Sequence, residues 1–235
     1  MRFERIWAKP PFHIDFLDGT GDDLVIAFSS VGHDPTRCPS PEFVATATGG
    51  TARRRALFVM DESRSWANHP GFAPALLGAV TQMSARAPIR RIATIGLSMG
   101  AFSALVAGQI LPVDVVLAFC PQFSVLSGDR RWSRWTDHLP EIRWPTAPLP
   151  NTGWTCLFHG AVDDLPQALG FPRQAGTDHL LFPDHSHSDL VPHLKERGVL
   201  HGITEAALAG DRRRLLRIAA SAGGVLRQKL YPSEP

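Results

Sequence analysis

The chain has 235 residues, of which 44% are hydrophobic and 20% are charged, as is typical of a folded globular protein. The formal net charge of +2 gives no general reason to expect nucleic acid or an anionic membrane as a partner. Three cysteines are too few for a disulfide framework and lack the spacing of a metal site, so we expect neither a metal nor a cofactor.

Short apolar runs of β type recur along the chain, separated by polar turns and by patterns of helical periodicity. The apolar runs predict strands at residues 12–17, 24–28, 56–60, 92–95, 115–119, 154–158 and 179–182. Apolar spacing predicts helices at residues 74–85, 101–110, 190–196 and 203–226. This alternation predicts an α/β fold with a mostly parallel central sheet and helices on both faces. The ligands of such sheets bind beyond the carboxyl ends of the strands.

Two stretches bear on the location of the protein in the cell. Residues 1–12 carry charges and prolines where a signal peptide needs an apolar core. The uncharged run at residues 92–113 is long enough to cross a bilayer, but Gly96, Ser98 and Gln109 interrupt it. A strand, a tight turn and a buried helix explain this run better. We therefore predict a cytoplasmic protein without a membrane span.

Residues 121–153 break the alternation and form a segment too long for an ordinary connection between strands. The segment is rich in proline and contains Trp132, Trp135 and Trp144. We predict a single domain over residues 1–235, with a cap inserted at about residues 121–153. Trp132 and Trp135 would then bind substrate from the roof of a pocket. The alternative is a surface loop whose tryptophans pack against the core.

The strand predicted at residues 92–95 is followed by Gly96-Leu97-Ser98-Met99-Gly100 and then by a helical pattern. The sequence G-x-S-x-G between a strand and a helix is typical of a nucleophilic serine on a sharp turn, where glycines avoid steric collisions. The turn would present the Ser98 hydroxyl at the amino end of the helix, where partial positive charge favours a developing oxyanion. The alternative is a turn of small residues with an incidental serine.

A nucleophilic serine needs a base, and the base needs a carboxylate that orients it. His185 and His187 both follow the last predicted strand, and we favour His187 because a helical pattern begins shortly after it. Asp163 and Asp164 follow the preceding strand. The spacing narrowly favours Asp163 as the carboxylate, since Asp164 could instead cap a helix.

The chain order of Ser98, then Asp163 or Asp164, then His187 resembles that of the α/β-hydrolase superfamily. The chain is similar to the small bacterial serine esterases of that superfamily over nearly its whole length, from Leu24 to the final helix. The resemblance implies the α/β-hydrolase fold and a Ser-Asp-His catalytic triad.

The resemblance also implies a pair of backbone donors that stabilise the oxyanion. One donor is the N–H of the residue after the nucleophile, which here is Met99. The other lies in the loop after the strand at residues 24–28, where Ser30 or Val31 takes the position. Many relatives carry His-Gly in this loop and this chain does not. The residue that supplies this donor, Ser30 or Val31, therefore stays open.

The loop at residues 61–68 mixes acidic, basic, aromatic and amide side chains after another predicted strand. In one interpretation it forms a wall of the substrate site, with Arg64 binding an anionic or hydroxylated group and Trp66 stacking on an apolar or sugar face. In the other it is a solvated loop that caps the following helix.

These patterns favour a serine hydrolase that cleaves a small-molecule ester or thioester through an acyl-enzyme. An acyltransferase would use the same residues, with an alcohol in place of water. A third hypothesis is a binding protein that keeps the fold without catalysis. The sequence leaves the identity of the substrate and the oligomeric state open.

Overall fold

The computed structural model describes residues 2–34, 36–50, 53–126 and 141–232. The strands are β1 (Glu4–Lys9), β2 (Phe12–Leu17), β3 (Asp23–Phe28), β4 (Arg55–Asp61), β5 (Arg91–Leu97), β6 (Val115–Phe119), β7 (Trp154–Gly160), β8 (Thr177–Phe182) and β9 (Val225–Leu226). The helices in this part of the chain are α1 (Val44–Thr48), α2 (Phe72–Arg86), α3 (Met99–Ala107), α4 (Ala161–Gly170), α5 (Leu190–Glu196), α6 (Val199–Leu208), α7 (Arg212–Ser221) and α8 (Arg227–Leu230).

The strands form one sheet in the order β1-β2-β4-β3-β5-β6-β7-β8-β9. The strands from β3 to β8 run parallel, and β1, β2 and β9 pair antiparallel at the two edges. Strands β4 and β6 are buried at every position, as expected of apolar runs covered on both faces. The carboxyl ends of β5, β6, β7 and β8 therefore meet at one edge of the sheet.

Helices cover both faces of this sheet. Helices α2 and α3 pack on one face, in a core that includes Phe28, Leu57 and Phe102. Helices α1, α5, α6 and α7 pack on the other face, in a core that includes Phe58 and Phe158. The prediction of a mostly parallel sheet with helices on both faces is confirmed, and the arrangement is that of the α/β-hydrolase fold.

The predicted strands agree with strands of the structure, but helices α1 and α4 were not among the predicted helices, and further differences lie near the two ends of the chain. The single helix predicted at residues 203–226 is wrong. Gly210, with a φ of 69°, separates α6 from α7, and the Asp211 side chain caps α7 by accepting from the Arg214 N–H at 2.9 Å. Strand β1 was not predicted, because it lies on the sheet edge and none of its residues is fully buried.

The structure describes only the two ends of the predicted cap. Val125 and Ala147 belong to the core beside α3, and Ser124 pairs with Thr146 in an isolated antiparallel bridge. Trp132 and Trp135, the tryptophans predicted to bind substrate, lie outside the described residues. The uncharged run at residues 92–113 includes β5 and α3 and is not one helix. Among the described residues, no helix has the length and apolar character needed to cross a membrane.

Candidate active site

The turn between β5 and α3 holds Ser98 in a rare backbone conformation, with φ 57° and ψ −122°. A positive φ is costly for a residue with a Cβ atom. Gly96 and Gly100 make the turn possible, because a Cβ on Gly96 would lie 2.2 Å from the Gly100 carbonyl oxygen. A Cβ on Gly100 would lie 2.2 Å from the carbonyl oxygen of Phe28. The glycines around Ser98 are therefore required by steric contact with the neighbouring strand and helix.

Ser98 immediately precedes α3 and lies at the positive end of that helix. Its backbone N–H donates to the Phe119 carbonyl at 2.8 Å, which fixes the turn against the end of β6. The first N–H groups of a helix, here beginning with Met99, have no acceptor within the helix. They favour negative charge on a group that lies beside them. Ser98 itself is buried, with 4% of its surface exposed.

The His187 ring, in the loop after β8, is hydrogen-bonded to Asp164. Nδ1 of His187 lies 2.6 Å from Oδ2 of Asp164, and both residues are buried. A carboxylate only accepts, so this contact places a proton on Nδ1 and makes Nε2 the basic nitrogen of the neutral ring. The geometry therefore gives His187 the orienting carboxylate that a general base requires.

Asp163 contacts the same histidine in a different way. Its Oδ1 accepts from the backbone N–H of His187 at 2.7 Å. The spacing argument narrowly favoured Asp163 as the partner of the ring, but in the structure Asp164 takes that position. Both carboxylates lie in the first turn of α4, where successive side chains point about 100° apart, so only one of them can face the ring.

Gly160, the last residue of β7, lets the histidine loop approach this helix. A Cβ on Gly160 would lie 2.4 Å from the Ser186 carbonyl oxygen. The loop is also tied to α4 by the Val162 N–H, which donates to the His185 carbonyl at 3.1 Å. These backbone contacts bring His187 to its carboxylate.

Cys120 adds a thiol to the same buried group. Its sulfur and the donor atoms of Asp164 and His187 lie within 4.8 Å of one another. Burial raises the pKa of the Cys120 thiol well above its ordinary value, and the charge of Asp164 raises it further. The protonated thiol donates to Asp164.

A second set of possible metal ligands in the described chain lies nearer the surface, at His13, Cys38 and Glu62. Burial and the nearby carboxylate of Glu62 raise the pKa of Cys38 to about 11. The thiol therefore keeps its proton at neutral pH.

Gln122 contacts the Ser98 hydroxyl, and the sequence analysis did not identify it. Its Nε2 lies 2.9 Å from Oγ of Ser98, and its Oε1 accepts from the Trp66 indole N–H at 2.9 Å. Gln122 lies three residues after β6, and that position at a strand end is the only signal that the sequence offers. The contact joins residues 24 positions apart, which no local pattern reveals.

Arg64 and Trp66 were predicted to line the substrate site, and their burial argues against that role. Trp66 is fully buried and Arg64 is 5% exposed. The Arg64 guanidinium donates to four backbone carbonyls, those of Val31, Asp34, Arg37 and Glu62. Its donors thus hold two loops together, and the indole of Trp66 supports Gln122 instead of offering a face to a ligand.

The loop after β3 carries the predicted oxyanion donors Ser30 and Val31. The Ser30 hydroxyl donates to Oε1 of Glu42 at 2.6 Å, and the Ser30 N–H donates to the same carboxyl group. Burial raises the pKa of Glu42, although both bonds from Ser30 oppose that shift. Since Glu42 occupies the Ser30 N–H, Val31 is the better placed of the two for a substrate oxygen.

Two further histidines form a buried pair, with His159 near the carboxyl end of β7 and His179 in the middle of β8. Nε2 of His159 lies 2.9 Å from the Pro121 carbonyl oxygen, which only accepts, so that nitrogen carries the proton. Nδ1 of His159 then accepts from Nε2 of His179, also at 2.9 Å. Burial lowers the pKa of His159 to about 4 and lowers that of His179 well below its usual value. Both rings are therefore neutral at physiological pH.

His185, the other candidate base, lies apart from these carboxylates. Its ring stacks on that of His193 with centroids 3.9 Å apart and packs edge-on against Phe182. Burial and the adjacent His193 lower the pKa of His185. Of the two histidines weighed from the sequence, His187 is the one that the fold places beside a carboxylate.

No known family model and no curated protein sequence matches the chain. The fold is nevertheless similar to many solved structures. An esterase from Pyrococcus furiosus superposes with a TM-score of 0.59 at 13% sequence identity, over 95% of this chain and 91% of the esterase. A capsule O-acetyltransferase from Neisseria meningitidis serogroup A superposes with a TM-score of 0.54 at 12% identity, over 83% of this chain and 92% of that protein.

An arylesterase also superposes on the chain, with a TM-score of 0.55 at 13% identity, over 86% of this chain and 81% of the arylesterase. At this level of identity the similarity establishes the fold, which is that of the α/β hydrolases. It does not transfer an activity, since one fold serves many reactions. The chemistry has to be argued from the residues of the site.

Proposed function

We propose that the protein is a serine hydrolase that cleaves a small-molecule ester or thioester, with Ser98 as nucleophile, His187 as base and Asp164 as the orienting carboxylate. The observation that carries this proposal is the buried bond of 2.6 Å between the His187 ring and Asp164. This bond sets the tautomer that a base for Ser98 needs. The rare backbone conformation of Ser98 at a helix amino end supports the assignment.

The reaction follows from these roles. Oγ of Ser98 attacks the carbonyl carbon of the ester while its proton moves to Nε2 of His187. The carbonyl oxygen becomes an oxyanion, which the Met99 N–H at the start of α3 stabilises together with a donor from the loop after β3. His187 then passes its proton to the leaving alcohol or thiol. In the second half, His187 takes a proton from water as the water oxygen attacks the acyl carbon. The bond between Oγ and the acyl carbon then breaks, and His187 gives its proton to Oγ, which releases the acid and restores Ser98.

Asp164 stabilises the imidazolium that forms in each half of this reaction. Its own position is fixed by the first turn of α4 and by the thiol of Cys120. Asp163 has a supporting role in this scheme, because it holds the backbone of His187 through a bond of 2.7 Å. The near-complete burial of Ser98 favours esters with a small acyl group over large substrates.

Transfer of the acyl group to an alcohol is a second candidate. The specific observation in its favour is the similarity of the fold to the capsule O-acetyltransferase, which covers 92% of that protein. Both reactions share the acyl-enzyme and differ only in the acceptor. Adding alcohols and sugars to a hydrolysis assay separates them, because a transferase forms the new ester at the expense of the free acid.

The test of the proposal is covalent labelling by a fluorophosphonate probe, together with hydrolysis of p-nitrophenyl acetate. We expect Ser98→Ala to abolish labelling and to lower kcat/KM by a factor of about 10³ or more. Ser103→Ala is the matched control, since Ser103 is a second buried serine on α3. Labelling of the Ser98→Ala protein at the wild-type rate would show that the proposal is wrong.

A further inference from the structure

A chain of three buried side chains ends at the Ser98 hydroxyl. The Trp66 indole N–H donates to Oε1 of Gln122, and Nε2 of Gln122 lies 2.9 Å from Oγ of Ser98. Trp66 is fully buried and Gln122 is 1% exposed. The contact connects the loop after β4 with the segment after β6 across the end of β5.

The direction of every bond in this chain is fixed by chemistry. An indole N–H can only donate, so the oxygen of the Gln122 amide must face Trp66. The NH₂ group must then face Ser98, and Oγ of Ser98 must accept. The single proton of the serine hydroxyl is consequently directed away from Gln122 and is available to a base.

The loop that holds Trp66 is built to keep this orientation. Arg64, Trp66 and Ala67 have φ values of 50°, 48° and 58°, a conformation that residues with a side chain adopt at a cost. Asp61 holds the loop in place, since its Oδ2 accepts from both the N–H and the hydroxyl of Ser65 at 2.7 Å. A strained and well-anchored loop of this kind is expected around a functional group that must not move.

Asn68 extends the anchoring to Trp144, in the last part of the predicted cap. Its Nδ2 donates to the Trp66 carbonyl at 3.0 Å, and its Oδ1 accepts from the Trp144 N–H at 2.5 Å. The backbone of Trp66 is therefore held in place, and with it the indole whose N–H donates to Gln122.

We propose that Gln122 is a catalytic hydrogen-bond donor to the nucleophile, which rests on the proposed function of Ser98. As the O–H bond of Ser98 breaks, the proton goes to Nε2 of His187 and the electron pair of Oγ forms the bond to the acyl carbon. Negative charge develops on Oγ before that bond is complete, and the N–H···O bond from Gln122 becomes charge-assisted. Such a bond is stronger in the transition state than in the free enzyme, and it therefore accelerates acylation.

Two variants separate this role from simple packing. Gln122→Met keeps the size of the side chain and removes both hydrogen bonds. Gln122→Glu keeps the acceptor for Trp66 but turns the second group into an acceptor, which draws the Ser98 proton away from His187. The measurements are the rate of labelling by a fluorophosphonate probe and the burst of p-nitrophenol from p-nitrophenyl acetate, which both report acylation.

We expect Gln122→Met to slow acylation by a factor of about 10 to 100, the range for losing one bond to a charged group. Gln122→Glu should be slowed at least as much at pH 8. Its rate relative to the wild type should recover as the pH falls and the introduced carboxyl gains a proton, because the protonated carboxyl again donates to Oγ. A role in packing alone would produce no such dependence on pH.

Gln167→Met is the matched control. Gln167 is a second buried glutamine, and it accepts from the backbone N–H groups of Phe123 and Ser124. We expect this variant to lose thermal stability while its acylation rate stays within about threefold of the wild type. Trp66→Phe should slow acylation more than Gln167→Met and less than Gln122→Met, since the Gln122 amide remains but loses the bond that orients it.

Acylation at the wild-type rate in both Gln122 variants, with Ser98→Ala inactive, would overturn this inference and leave the proposed function intact. Full activity of Ser98→Ala would instead overturn the proposed function. A ratio of Gln122→Glu to wild-type rates that does not change between pH 8 and pH 5 would also contradict the donor role. Thermal unfolding of each variant shows whether a low rate comes from loss of the fold.

Discussion

Two buried histidine clusters lie on the neighbouring strands β7 and β8 and the loop after β8, and they differ in what holds the rings. The His187 ring is held by the carboxylate of Asp164, whereas the His159 ring is held by the Pro121 carbonyl and by His179. A carboxylate compensates the charge of an imidazolium, and a carbonyl or a neutral ring does so far less well. Burial consequently dominates in the second cluster and lowers the pKa of His159 to about 4.

The comparison shows that a buried position at a strand end does not make a histidine a base. His159 lies near the carboxyl end of β7, but its Nε2 donates to the Pro121 carbonyl and its Nδ1 accepts from His179, which fixes a neutral form. The carbonyl that His159 holds belongs to Pro121, directly before Gln122. We therefore interpret the His159 cluster as support for the backbone that carries Gln122.

The largest expected difference between the clusters is in activity. His187→Gln should lower kcat/KM for p-nitrophenyl acetate by a factor of about 10³ to 10⁴, because Ser98 loses its base. His159→Gln should lower it less than about tenfold, since that ring supports the backbone and takes no proton. Steady-state kinetics of the two variants test this directly. An equal loss in both would show that the comparison does not separate a base from a supporting ring.

The next largest loss of activity is expected from substitution of Asp164, with Asp163 as the comparison. Asp164→Asn should lower kcat/KM by a factor of about 10² to 10⁴, because an amide can present a donor to Nδ1 and favour the wrong tautomer. Asp163→Asn keeps an oxygen that accepts from the His187 N–H, and its loss should stay below about tenfold. Steady-state kinetics of the two variants show which of the two carboxylates orients the His187 ring. A larger loss at Asp163 would restore the assignment that the sequence spacing favoured.

The sequence was sufficient to predict the sheet and the turn at Ser98, because continuous apolar runs and small residues at fixed positions are local signals. The choice between Asp163 and Asp164 could not be made, since it depends on the residue at which α4 begins. That helix starts after Gly160, which has no side chain to cap it, and so the sequence carries no mark of its first turn.

The contacts of Gln122 and Trp66 were beyond prediction for a different reason. They join residues 56 positions apart, and the loop around Trp66 takes a strained conformation that no propensity favours. From the sequence, Trp66 and Arg64 have the character of surface ligand-binding residues. Their burial follows from the way in which the loops at residues 31–43 and 61–68 pack together, which is a property of the tertiary fold.

A third prediction concerns stability, where the His159 cluster should have the larger effect. The unfolded chain protonates this histidine as the pH falls below its ordinary pKa of about 6.5, while the folded protein keeps it neutral until about pH 4. Unfolding therefore becomes more favourable as the pH falls through this window. Between pH 7.5 and pH 5 we expect His159 to account for a loss of about 2 kcal/mol in the free energy of unfolding.

Urea denaturation at pH 7.5 and at pH 5 measures this loss. His159→Gln removes the titrating group, so the variant should be less stable at pH 7.5 but should lose less stability on acidification than the wild type. Burial lowers the pKa of His179, and His159 lowers it further, so the variant should hold that pKa less far below its usual value and the change adds to the expected difference. The same loss on acidification in the variant and in the wild type would contradict the neutral state assigned to His159.

The smallest effect is expected at His185, two positions from the proposed base. The His185 ring packs against the ring of His193, which itself lies 2.9 Å from the Ala222 carbonyl. The contacts of His185 therefore lie beside α5 and the end of α7. His185→Asn should leave kcat/KM within about threefold of the wild type and lower stability by less than about 1 kcal/mol, because only a partly exposed ring contact is lost. The peptide carbonyl of His185, which receives the Val162 N–H, remains in the variant. A loss of activity at His185 greater than that at His187 would reverse the assignment of the base, and with it the distinction between the two histidine clusters.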